Sequence, residues 1–167
     1  MTSAGSNYRI CHIELDDKSI IRRNADIEHE RRVAIFDLLE NNSYQPLEEL
    51  PNKYAGPFRV ALRMEENRLA MDIFSDQDMI MNEKLSIIIL PLTMLRKTIK
   101  AYFQICDSYF AAIKSASPRQ IETIDMARRS LHNEGSEILK ERLGEKVKMD
   151  FPTARRLFTL ICVLQIR

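Results

Sequence analysis

Residues 58–76, "FRVALRMEENRLAMDIFSD", put Phe58, Val60, Leu62 and Met64 at alternate positions, and Leu69, Met71 and Ile73 resume the alternation after Glu65-Glu66-Asn67. Successive side chains of a strand point to opposite faces, so a period of two on both sides of a short polar turn predicts a β-hairpin. Just beyond it, "KLSIIILPL" (84–92) predicts a further strand closed by Pro91, apolar enough to be covered on both faces or to sit centrally. Upstream, "YRICHIELDD" (8–17) offers Ile10, Ile13 and Leu15 with an acidic stop and reads as another strand. Between that strand and the hairpin the period changes. Ile27, Ala34, Ile35, Leu38 and Leu39 recur at helical spacing, with Asn24 or Asp26 to cap the helix and Asn41-Asn42 to end it. The following "SYQPLEELPNKYAGP" (43–57) carries three prolines and a glycine and predicts a surface loop.

From Leu92 onward the pattern is helical. Leu95, Ile99, Tyr102, Phe103, Cys106, Phe110 and Ile113 form one stripe, and "SASP" separates it from a second helix with Ser117 as cap, Pro118 in the first turn and Gln120 completing a capping box. The second stripe is Ile124, Ala127, Leu131, Ile138 and Leu139, and Gly144 ends it. Asp150 caps a last helix with Pro152 in its first turn. Residues 151–164, "FPTARRLFTLICVL", are apolar nearly all round and predict a central core helix or an oligomer interface. Strands first and helices afterwards make an α+β fold. It is expected to be one domain over residues 1–167, a small mostly antiparallel sheet of about four strands followed by three helices packed on one face, with residues 1–7 disordered.

Composition narrows the function. Lys plus Arg (25) nearly balances Asp plus Glu (24), so no global field gathers phosphate backbone or anionic lipid, and nucleic acid is not an expected partner. Cys11, Cys106 and Cys162 are odd in number and never form a CxxC pair, which points to reducing cytoplasm. No signal-peptide pattern opens the chain, and no apolar run approaches the roughly 20 residues of a membrane span. Hydrolase, phosphate-loop and dinucleotide signatures are missing. His12, His29 and His132 occur in no HxxxH, HxH or ExxH pair, so neither a metal nor a cofactor is expected.

What remains is "ARRSLHNEGSEILKERL" (127–143) and "TARR" (153–156). His132 lies one position off the apolar stripe, at its boundary, with Arg128 four residues before it. Neighbouring arginines favour the neutral imidazole, which can serve as a base near neutral pH. Glu134 is two residues away and points elsewhere on a helix, so a His132–Glu134 pair is geometrically poor. If the last two helices pack antiparallel, Arg128, Arg129, Arg155 and Arg156 can form an anion pocket with His132 and Asn133 beside it; the competing reading is a structural network with Asp125, Glu134, Glu137 or Asp150. Gly135 within a helix implies a close approach by backbone, ligand or packed side chain.

The segments "DIEHERRVAIFDLLENNSY", "YFQICDSYFAAIKSASPRQIETIDMARRSLHNEGSEILKERL" and "DFPTARRLFTLICVL" resemble an uncharacterised alphaproteobacterial protein family, UPF family two hundred and sixty-two, over residues 8–166. The resemblance implies a bacterial cytoplasmic protein of unknown function and supplies no activity, substrate or cofactor. It also marks two departures: Gln165 and Ile166 stand where relatives continue with a histidine and a tryptophan, and "QDMIMNEKLSIIILPLTML" (77–95) is more apolar than the family form. The expected function is a non-enzymatic binding or interaction module. It would take an acidic small molecule or protein partner through Arg128, Arg129, His132, Asn133, Arg155 and Arg156, and would associate as a homo-oligomer. The alternative is a small acid-base or hydrolytic enzyme, with His132 as general base and Glu30 or Glu134 orienting it.

Overall fold

The computed structural model describes residues 7–16, 25–76 and 83–165. The expectations placed on residues 1–6, on Asn24, on Ile166 and on part of the 77–95 segment lie outside these. The hairpin is where the alternation puts it: β3 (Phe58–Glu65) and β4 (Arg68–Ser75) pair antiparallel with Val60 opposite Ile73, Leu62 opposite Met71 and Met64 opposite Leu69. β5 (Lys84–Pro91) continues the antiparallel order on β4, while β1 (Ile10–Leu15) joins the other edge parallel to β3. The sheet order is β1-β3-β4-β5, so the sheet is mixed rather than mostly antiparallel. The reason is connectivity. α1 (Ala25–Glu40) lies between β1 and β3 in the chain, and a helical crossover returns the second strand parallel to the first.

The isoleucine run of β5 does not make it central. It is an edge strand, Ile87 is 45% exposed opposite Asp72, and the fully flanked strand is β4, where only Arg68 is exposed. The 43–57 loop is partly ordered as β2 (Gln45–Pro46), which pairs antiparallel with β6 (Val147–Lys148) in a second, two-stranded sheet. At the end of α1, Asn42 accepts from the Ile10 amide at 2.7 Å and donates to the Ile10 carbonyl at 2.9 Å, clasping the free edge of β1.

The helical layer is α1, α2 (Arg96–Ser115), α3 (Pro118–Leu143) and α4 (Phe151–Leu164). Ser117 and Gln120 form the expected capping box on α3, and Asp150 accepts from the Thr153 amide on α4. α4 packs on α1, α3 and β3, and nine of its residues are buried, so it is the core helix. α3 packs on both α2 and α4, and its buried residues all lie in its C-terminal half. His132, Gly135, Ser136, Leu139 and Leu143 are its buried residues, whereas Ala127 is exposed and Met126 is 58% exposed. The buried stripe is therefore rotated from the one expected, and His132 sits on it rather than at its boundary. On α2, likewise, Ile113 is 51% exposed.

Candidate functional site

α1, α3 and α4 converge on a concave cleft of about 420 Å³, within the range of small-molecule sites. α1 contributes His29, Glu30, Val33, Ala34 and Asp37; α4 contributes Arg155, Arg156 and Thr159; α3 contributes Arg128, Arg129 and His132, with Tyr102 of α2 behind. Five of the six residues expected at the site thus come together. Asn133 does not line the cleft, and Glu134 is exposed outside it. The acidic groups lining the cleft, Glu30 and Asp37, both come from α1, and of the two the sequence pointed only to Glu30, as a partner for the imidazole. The Glu30–Ala34–Asp37 spacing at i, i+4, i+7 was the available signal.

Three of the four arginines have carboxylate partners. Arg128 meets Asp125 at 2.6 and 3.1 Å and lies 4.6 Å above the Tyr109 ring; Arg129 reaches the other Asp125 oxygen at 3.3 Å. Arg156 lies 3.7 Å from Asp37 and so ties α4 to α1. Arg155 differs. Its Nε is buried without a hydrogen-bond partner, and among the described residues it makes no ion pair. Glu30 is also without an ion pair or hydrogen bond among the described residues. Burial raises its carboxyl above the ordinary range, with Asp26 adding to the rise and Arg128 opposing it.

His132 is packed edge-on against Phe158 at 5.1 Å and Tyr102 at 5.4 Å between ring centroids, and its Nε2 lies 2.7 Å from Thr159 Oγ1. Burial, followed by the charges of Arg155, Arg128 and Arg156, lowers its pKa from 6.5 to about 4. The imidazole is neutral at neutral pH, and its Nδ1 is buried without a partner. Gly135, one turn on, leaves room for Phe158: a Cβ there would stand 2.2 Å from the ring's Cζ. The close approach that the glycine implied is made by a packed side chain.

Neutral burial of His132 has a pH consequence. Protonation is easier in the unfolded chain, so the stabilisation is fully present above pH 6.5 and is lost as pH falls towards 4. The loss should approach about 3 kcal/mol across that window. Urea denaturation at several pH values should show wild-type stability falling more steeply between pH 6.5 and 4 than that of His132→Asn. Equal slopes would show that His132 is not the group responsible.

Among the described residues, no cluster of three or more His, Cys, Asp or Glu side chains is placed to hold a metal ion. Nor, among them, is any helix long and apolar enough to cross a membrane.

Fold and cleft together define a class: an α+β protein with a mixed four-stranded sheet, whose helical layer holds an arginine-lined cleft around a neutral buried histidine. The chain belongs to the Uncharacterised protein family (UPF0262), which matches residues 7–167. Similar proteins include a UPF0262 protein of Erythrobacter litoralis, 54% identical over 97% of this chain and 99% of its own length. Another, from Novosphingobium aromaticivorans, is 54% identical over 95% and 97%, and one from Cereibacter sphaeroides is 55% identical over 93% and 97%. No solved structure matches the chain.

Proposed function

We propose that the protein is a bacterial cytoplasmic binding module that recognises a small anionic molecule in the α1–α3–α4 cleft. The observation that carries this reading is Arg155, a cleft-lining cation that makes no ion pair among the described residues, whereas Arg128 and Arg129 share Asp125 and Arg156 meets Asp37. A guanidinium without a carboxylate partner is able to form charge-assisted hydrogen bonds to a ligand oxyanion. The unpaired state of Cys11, Cys106 and Cys162 supports a reducing compartment. The enzyme reading, with His132 as base, is the weaker one: Nε2 is engaged by Thr159 and Nδ1 is buried, so neither ring nitrogen is open to a substrate proton.

The test is a thermal-shift screen of carboxylates and phosphates, followed by calorimetry on the hits. A ligand at 100 times its dissociation constant adds about 2.7 kcal/mol of stability, a readily measured shift. Arg155→Ala should weaken a bound anion by about 10- to 100-fold, the equivalent of one charge-assisted hydrogen bond, while changing the ligand-free melting temperature little. Equal affinities for variant and wild type would remove Arg155 from the site.

A further inference from the structure

Three neighbour relations fix how α1 and α4 lie against each other. Just past the end of α1, the Ser43 amide donates to Thr153 Oγ1 at 2.9 Å; Asp37 meets Arg156 at 3.7 Å; and the charge of Glu30 reaches Cys162. Residue numbers fall on one side as they rise on the other, so the two helices run antiparallel and Val33 and Ala34 stand level with Thr159. Arg155 lies one turn from that level, about 6 Å along the axis at 1.5 Å per residue. Its carbonyl accepts from Thr159 Oγ1 at 3.3 Å. The level of Thr159 is uncharged: around it stand Val33 and Ala34, the ring of Tyr102 and the neutral imidazole of His132, which lies 2.7 Å from Thr159 Oγ1. Val33 is 43% exposed, an aliphatic side chain left uncovered in the cleft wall.

Resting on the anion-site reading above, we propose that the ligand is a small monocarboxylate with an apolar body, its carboxylate on Arg155 and its body on Val33 at the level of Thr159. The charge count calls for a single negative charge. Four guanidinium groups line the cleft and three carboxylates answer them: Asp125 is shared by Arg128 and Arg129, Asp37 takes Arg156, and Glu30 acts with the charge of Arg128. His132 adds no charge at neutral pH, so one cation is left for the ligand. A second charge on the ligand would exceed it and would be set against the uncharged wall, at a cost in desolvation. A branched hydrocarbon body instead covers Val33, and burial of apolar surface is favourable in proportion to its area. The cleft volume of about 420 Å³ is at the small end of the range for small-molecule sites and matches a ligand of a few carbons.

Matched probes separate the apolar body from the charge. Acetate and isovalerate share the carboxylate and differ in the branched hydrocarbon; methylsuccinate is isovalerate with a second carboxylate in place of one methyl group. By calorimetry on the full chain at pH 8, isovalerate should bind about tenfold or more tightly than acetate and than methylsuccinate. Val33→Ala should weaken isovalerate about threefold or more and leave acetate within about twofold of wild type. Acetate binding as tightly as isovalerate, with Arg155→Ala abolishing both, would overturn the apolar body and leave the anion site standing. Methylsuccinate or inorganic phosphate binding more tightly than isovalerate would overturn the single charge, again with the anion site intact. A preference for isovalerate that survives unchanged in Val33→Ala would overturn the role of Val33. Failure of all four probes to bind wild type would overturn this proposal and the anion site together.

Discussion

Leu160→Asp is expected to yield no folded protein. Leu160 is fully buried on α4, the helix that meets α1, α3 and the sheet. The substitution removes the packing of a core leucine, about 2–5 kcal/mol, and places a carboxylate where it has no partner, which adds several kcal/mol. Together these are of the same order as the roughly 5–15 kcal/mol by which a domain of this size is stable. The readout is soluble yield and, on any soluble fraction, far-ultraviolet circular dichroism with sedimentation. The apolar helix admitted a second reading, an interface between copies, under which the same variant would be a folded monomer. A cooperatively melting monomer of Leu160→Asp would restore that reading and contradict the core position found here.

Phe158→Ala should cost about 3–5 kcal/mol, because the ring is completely buried and serves as the packing surface for His132, Tyr102 and Gly135. Gly135→Ala tests the same contact from the other side. Alanine is the better helix former by about 1 kcal/mol, but its methyl would stand 2.2 Å from the ring, and overpacking of that kind costs about 1–3 kcal/mol or more. The single variant should therefore be destabilised or neutral, never stabilised by the full propensity gain. Combining the two removes the clash, so Gly135→Ala should stabilise the Phe158→Ala background. Urea midpoints of the four proteins give the coupling directly, and simple additivity would show that the ring does not hold Gly135 in place.

Much of the fold was legible because the signals are local. Alternation from Phe58 to Ile73 determined the hairpin; Ser117 with Gln120 and Asp150 with Pro152 determined where α3 and α4 begin; the all-round apolar surface of residues 151–164 made that helix central or interfacial. Each involves residues within a few positions of one another, where backbone geometry and capping leave few alternatives. The pairing of Arg128 with Asp125 belongs with these, since three residues on one helix are neighbours.

Local pattern alone could not say which strand would be an edge. Ile87 and the other isoleucines of β5 have the composition of a central strand, yet β5 has β4 on one side only, because the sheet order depends on where the crossover through α1 delivers β3. The cleft was legible by half for the same reason. Arginines at 128, 129, 155 and 156 could be brought together by supposing that α3 and α4 pack, and they do. The burial of His132, its contact with Thr159, the retention of Arg156 by Asp37 and the lack of an ion pair on Arg155 among the described residues all depend on the angle at which three helices meet. That angle is set by Phe158 lying against Gly135 and by α1 lying against α4, contacts between residues far apart in the chain. The sequence by itself determined the elements and the supply of charge; the tertiary structure decided which charges are cancelled, because cancellation depends on distances that only packing sets.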